Sequence, residues 1–351
     1  MKTTFIIILN TLFLIFLFNF IIVFYPEKTL NRKFLDNKLI NNFGYLYHVY
    51  FKDSYDRNVK KIQNYSVFVG DSYILGTSEG KLLNGVGMFF KEKYPNNSFF
   101  EIGYPAGSYD FQEKLLDKIV NKLKKEPKKI FLFIYEGNDY YDEISFHSKT
   151  KKELFLKNLK LNIYNYFPLL ARVSEYSFFK VRSIFLTKNL GDTNQEEINN
   201  EIFINEKKII LKYQDVQNAC GLKSENDKNM FFKSLTDYSS KLSEKYPSSE
   251  KIFIYIPSPA TLYNYSSIIS KDYILNKYEK LNQNENFECY KKNIKILNEF
   301  FMDSARQEFY FHDLTSDLKK ITKNQLIHGL RDINHFNKEG YKFFAQLVIK
   351  L

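Results

Sequence analysis

Lys129–Tyr135 reads KIFLFIY and Lys251–Ile256 reads KIFIYI. Short apolar runs with no polar alternation suit strands buried on both faces, as in the middle of a parallel sheet. Three weaker runs, Tyr65–Val69, Ser98–Ile102 and Glu308–His312, complete a set of five. Between them apolar residues recur at helical spacing over Gly76–Tyr94, Phe111–Lys125, Asn229–Tyr246, Lys291–Ala305 and Lys338–Leu351. Strict β-α alternation predicts an α/β fold: a doubly wound, five-stranded parallel sheet between two helical layers. The rhythm breaks at two places, the second an irregular stretch over Thr261–Glu288. Tyr140–Ser249 is too long for a crossover and is expected to hold an insertion, with an aromatic helical stretch over Lys152–Leu186.

Ligand crevices of such sheets open at the carboxyl ends of the strands. The first strand ends in Gly70-Asp71-Ser72, the second in Gly103-Tyr104-Pro105-Ala106-Gly107-Ser108, and the third in Glu136-Gly137-Asn138-Asp139. The last loop, after the fifth, carries Asp332-Ile333-Asn334-His335. A serine hydroxyl needs a base within hydrogen-bond reach to act as a nucleophile. His335 is the candidate base for Ser72, with Asp332 as the carboxylate that orients the imidazole. The Ser72 N–H, a backbone N–H of the Ala106–Gly107 turn and the Asn138 amide are candidate oxyanion donors. His312 beside Asp313 is the nearest rival base; His48, His147 and His328 lack a comparable context.

Taken in order, these four blocks resemble the SGNH hydrolases, the GDSL family of lipases and esterases. The resemblance covers Tyr65–Tyr135 and Lys251–Leu351. It implies a flavodoxin-like hydrolase fold with strands in the order two-one-three. It also implies Ser72 as nucleophile, His335 as base, Asp332 as orienting carboxylate, and Ser72, Gly107 and Asn138 as the oxyanion hole. The third block departs from the family's Gly-x-Asn-Asp, because Gly137 adjoins Asn138 directly and Glu136 precedes it. The implied activity is hydrolysis of O-acyl, in particular acetyl, esters of a glycan or lipid through an acyl-enzyme. Transfer of the acyl group to a polysaccharide hydroxyl is the alternative, and a silent glycan-binding scaffold is a third reading. No cofactor or metal is expected.

Phe5–Tyr25 contains no charged residue. As a helix it would reach about 30 Å, enough to cross the hydrocarbon of a bilayer. This predicts an anchor over 1–26, a connector over 27–64 and a catalytic domain over 65–351 on the outer side of a bacterial inner membrane. Lys28, Arg32, Lys33 and Lys38 follow the span and favour the opposite orientation by the positive-inside rule. The net charge is +11, but the lysines are scattered and no nucleic-acid motif is present, so nucleic acid is not an expected partner. Cys220 and Cys289 lie outside any zinc-ligand spacing. A disulfide and two inert thiols both remain open for them.

Overall fold

The structure, a computed structural model, describes residues 64–78, 81–82, 86–94, 98–103, 108–148, 199–212, 214–272, 277–303 and 308–351, with Ile6, Leu9–Thr11, Phe13, Leu14, Phe16 and Leu17. The chain divides into two compact units, residues 1–57 with 149–196 and residues 58–148 with 197–351. In the first, the described residues are helical and exposed. Most of the expected Phe5–Tyr25 span lies outside the described residues, as do all of the connector but Asn64 and the whole Lys152–Leu186 stretch. Among the described residues no helix is long and apolar enough to cross a membrane.

The second unit is built on five strands: β1 (Tyr65–Gly70), β2 (Ser98–Gly103), β3 (Lys129–Tyr135), β4 (Glu250–Ile256) and β5 (Phe309–Asp313). All neighbours pair in parallel, in the order β5-β4-β3-β1-β2. The expected two-one-three order is therefore present, and β1 lies between β2 and β3. Gly70 pairs with Gly103 at the carboxyl ends of β1 and β2, so the turns that follow them emerge at one edge.

The helices are α1 (Ser72–Leu75), α2 (Val86–Lys93), α3 (Tyr109–Leu123), α4 (Asp139–Ser148), α5 (Glu225–Lys245), α6 (Gln283–Met302), α7 (Thr315–Thr322) and α8 (Lys338–Val348). A single turn, Pro259–Leu262, follows β4. Because strand side chains alternate, each buried strand supplies two faces. Phe68, Phe131, Phe133, Ile252 and Ile254 share one core with Val86 and Phe90 of α2 and Phe344 and Val348 of α8. On the other face Phe253 packs on Phe301 of α6 with ring centroids 4.6 Å apart, and Tyr109 of α3 stacks on Tyr238 of α5 at 5.0 Å. The apolar run that follows Lys129 in KIFLFIY has its explanation here: both faces are covered.

Three expectations are corrected. The helix foreseen over Gly76–Tyr94 begins only at Val86, because Gly76 ends α1 in the left-handed conformation (φ 70°) and Thr77–Ser78 pairs with Lys81–Leu82. Helix α6 starts eight residues before Lys291, where Asn282 and Glu285 form a reciprocal capping box. The segment expected to be a loop at Asp332–His335 is instead part of a short strand, Asp332–Phe336, paired antiparallel with His328–Gly329. Of the expected insertion, α4 and α5 pack together as ordinary covering helices through Tyr140 and Phe231, 4.9 Å apart. Asn199–Ile204 and Lys207–Lys212 form a hairpin that Asn264–Tyr265 extends.

Cys220 and Cys289 are joined in a disulfide, with Cα atoms 5.2 Å apart. It spans 69 residues and ties the segment after the hairpin to α6. In chain-entropy terms, closing such a loop limits the unfolded chain by about 4 kcal/mol. The double substitution Cys220→Ser/Cys289→Ser is expected to lower unfolding free energy by about 2–4 kcal/mol, read from the denaturant midpoint. Added reductant should bring the unaltered protein down to the variant's midpoint. A midpoint insensitive to both would contradict the stabilising role.

Candidate active site

Gly70 ends β1, and Asp71 caps the single-turn helix that follows, its Oδ1 accepting from Tyr73 N at 2.9 Å. With the cap supplied by Asp71, Ser72 is left as the first helical residue, at the tip of the turn. Its Oγ lies 2.9 Å from His335 Nε2. The other ring nitrogen, Nδ1, lies 2.8 and 2.9 Å from the two oxygens of Asp332. A proton on Nδ1 satisfies the carboxylate and leaves Nε2 to accept from the serine hydroxyl. Both side chains of the His335–Asp332 pair stay about a quarter exposed, 24% and 23%.

Residues at i and i+3 of a regular strand point to opposite faces. Here the pairing jumps from Gly329↔Asp332 to His328↔Phe336, so Ile333–His335 bulge out of the hairpin. The bulge lets Asp332 and His335 meet. Tyr73 packs beside the imidazole with ring centroids 5.4 Å apart, and Phe336 closes edge-on against Tyr73 at 5.0 Å.

Asn138 stands at the end of β3, next to β1. Its Nδ2 donates to Asp142 Oδ2 at 2.8 Å, and its side chain also hydrogen-bonds the buried Asp71 carboxylate. Its Oδ1 is buried and has no partner among the described residues. The structure thus brings Ser72, His335 and Asp332 together and sets Asn138 beside them through Asp71. Gly107 and Ala106 lie outside the described residues. His312 sits on β5, three strand spacings or about 14 Å from β1. Its neighbour Asp313 accepts from Thr315 N at 2.9 Å and from Tyr290 OH at 2.8 Å.

Burial raises the pKa of Asp71, against the opposing pull of the Tyr73 N–H and the His335 charge. Burial also raises Asp139, and the Asp71 charge adds to the effect. His328, on the partner strand of that hairpin, is fully buried, with Nδ1 2.8 Å from the Tyr263 hydroxyl. Burial pushes its pKa down to about 3, and the charge of His335 acts in the same direction. An unfolded histidine titrates near 6.5. Between those values the unfolded chain takes up a proton that the native one refuses, so this residue makes stability fall as pH drops below about 6.5. The slope approaches about 1.4 kcal/mol per pH unit. Asp71, Asp139 and Glu136, with raised values, act in the opposite sense. Comparing His328→Gln with the unaltered protein isolates the term: the variant should lose less stability between pH 7 and pH 5 in urea titrations, and equal losses would contradict it.

Several residues at this site gave no signal in the sequence. Gln214 Oε1 accepts from Ile333 N at 2.8 Å, and its Nε2 donates to Leu330 O at 2.6 Å. Asn334 bonds Gln217 N through Oδ1 at 2.9 Å and Asp215 O through Nδ2 at 3.1 Å. The Gln214–Gln217 segment is thereby stitched to the strand that carries Asp332 and His335. Polar residues in an irregular stretch have no periodicity to betray them. Only Asn334, inside the Asp-x-x-His block, stood near a motif.

No family model matches the chain, and no curated protein matches it. Solved structures match at low identity. A gut microbial diltiazem-metabolizing enzyme is 14% identical, with 82% of this chain and 46% of that chain covered and a TM-score of 0.40, so this chain spans less than half its length. An extracellular lipase from Streptomyces rimosus is 11% identical, covering 82% of this chain and 99% of that one at a TM-score of 0.42. An acetyl xylan esterase from the rumen bacterium Butyrivibrio proteoclasticus is 9% identical, covering 82% and 62% at a TM-score of 0.36.

Proposed function

We propose that the chain is a serine esterase of the SGNH type that cleaves O-acetyl esters of a glycan or lipid through an acyl-enzyme. One observation carries the reading: the unbroken Ser72 Oγ–His335 Nε2 and His335 Nδ1–Asp332 contacts, at 2.9 and 2.8 Å. Ser72 Oγ attacks the ester carbonyl carbon as its proton passes to His335 Nε2, and Asp332 stabilises the imidazolium. The carbonyl oxygen becomes an oxyanion, held by the Ser72 N–H and by Asn138 once one of its N–H groups turns from a carboxylate to the substrate. Gly107 N–H is the third donor on the strength of the family resemblance. As the C–O bond breaks, His335 returns the proton to the departing alcohol. Water, deprotonated by the same imidazole, then releases the acid and restores Ser72.

A sugar hydroxyl in place of that water gives acetyl transfer, a second reading favoured by the Gln214–Gln217 segment fixed beside His335. An export-directed anchor over Phe5–Tyr25 belongs to the same proposal, supported by the Cys220–Cys289 disulfide, which an oxidising compartment favours. The full-length protein should release acetate from a simple acetyl ester at a rate independent of added oligosaccharide. Acetylated oligosaccharide with little free acetate would replace hydrolysis by transfer. Turnover of neither kind would sink both.

A further inference from the structure

Gln217 lies where the chain returns from the hairpin towards β4. Its backbone is held at both ends: the N–H donates to Asn334 Oδ1 at 2.9 Å, and the carbonyl accepts from Ala260 N at 3.3 Å. Its side chain runs to the end of β3. A Cβ at position 137 would overlap Gln217 Oε1 and the Tyr135 ring, so glycine there is what admits this side chain. Glycine thus makes room for an amide immediately before Asn138.

That amide is not satisfied by the protein. Gln217 Oε1 is buried without a hydrogen-bond partner among the described residues, and so is Asn138 Oδ1 on the other side of Gly137. An unpaired buried amide oxygen is costly, and native structures rarely leave one without use. Gln217 as a whole is only half-buried, so the group can turn towards a ligand. Its anchor, Asn334, adjoins His335, the residue that must protonate the departing alcohol. The Gln217 backbone is thereby tied to the neighbour of the base that meets the departing alcohol.

We infer that Gln217 is a specificity-determining residue whose side-chain amide hydrogen-bonds a free hydroxyl on the alcohol part of the ester, which selects acetyl esters of polyhydroxylated alcohols such as sugars. A hydroxyl both donates and accepts, so either end of the amide can serve it. An aryl or simple alkyl acetate offers no such group. The inference rests on the serine-esterase reading.

The test compares kcat/KM for a mono-O-acetyl methyl glycoside with that for 4-nitrophenyl acetate, in the full-length protein and in Gln217→Ala and Gln217→Leu. The structural hydrogen bonds of Gln217 come from its backbone, so both variants should fold, as their melting temperatures will show. The sugar ester should lose about 10- to 100-fold in kcat/KM, the size of one or two lost hydrogen bonds. 4-Nitrophenyl acetate should change less than about threefold, within the scatter of remote substitutions. Equal losses on both esters, or none on the sugar ester, would overturn the role of Gln217 while leaving the esterase standing. Failure of the unaltered protein on both esters would sink the esterase reading and this one with it.

Discussion

Ser72→Ala is expected to lower kcat for acetyl-ester hydrolysis by about 10⁴- to 10⁶-fold, the scale set by losing the nucleophile of a triad. The melting temperature should not change. That separation follows from the local build of the turn. Serine is a common helix cap, but here the capping oxygen belongs to Asp71, which accepts from Tyr73 N at 2.9 Å. Removing the Ser72 hydroxyl leaves the cap intact and vacates the 2.9 Å approach to His335 Nε2 and a longer, 3.4 Å contact with Asp71 Oδ2. Alanine is also the best helix former, so the first turn loses nothing in propensity. His335→Ala should cost a similar factor, and the double variant little more than either, because the two residues act as a unit. Steady-state hydrolysis of 4-nitrophenyl acetate measures all three. A Ser72→Ala protein that retains more than a tenth of the activity would exclude Ser72 as nucleophile.

The second large effect concerns stability and separates two substitutions at one position. Glu136 is wholly buried between β3 and β4, where its charge is felt by the Lys319 ammonium. Its Oε1 accepts from Tyr255 OH at 2.5 Å, and its Oε2 accepts from Ser258 N at 2.7 Å and from Ser258 Oγ and Thr261 Oγ1, each at 2.6 Å. The network continues through Thr261 to Asn286 of α6 at 3.0 Å, and from Asn286 to Ala219 N at 2.8 Å, beside the disulfide. Burial raises the Glu136 pKa, and the four donors pull it back. Glu136→Ala leaves those donors buried without an acceptor and should cost about 3–5 kcal/mol. Glu136→Gln should stay within about 1 kcal/mol of the unaltered protein. Its amide oxygen can take the Ser258 and Thr261 donors while its NH₂ turns to the Tyr255 hydroxyl, which can accept as well as donate. Denaturant midpoints of the two variants decide the point. Equal losses would show that the charge, rather than the acceptor geometry, matters at this position.

Much of this was legible in the sequence because apolar periodicity reports burial, and burial fixes layers. All five strands of the sheet fall on runs that read as strands, and KIFLFIY sits at the centre of the order. Ser72, Asp332 and His335 were legible because each stands in a short motif at an element's end, where topology brings distant residues together. What escaped was local hydrogen-bond geometry. The bulge at Ile333–His335 depends on a two-residue partner strand too short to show a period. Asn138 was expected to offer its amide to an oxyanion, yet its N–H groups lie against Asp142 and Asp71, and no spacing in the sequence announces that pair. Gln214 and Gln217 reach the site from a stretch with no motif, held only by polar bonds to the Asp332–Phe336 strand.

Labelling with a serine-directed fluorophosphonate, followed by peptide mass mapping, tests the central claim most directly. The account predicts a single adduct, on Ser72, absent from Ser72→Ala and strongly slowed in His335→Ala because the hydroxyl then lacks its base. An adduct on another serine, or equal labelling of Ser72→Ala, would contradict it.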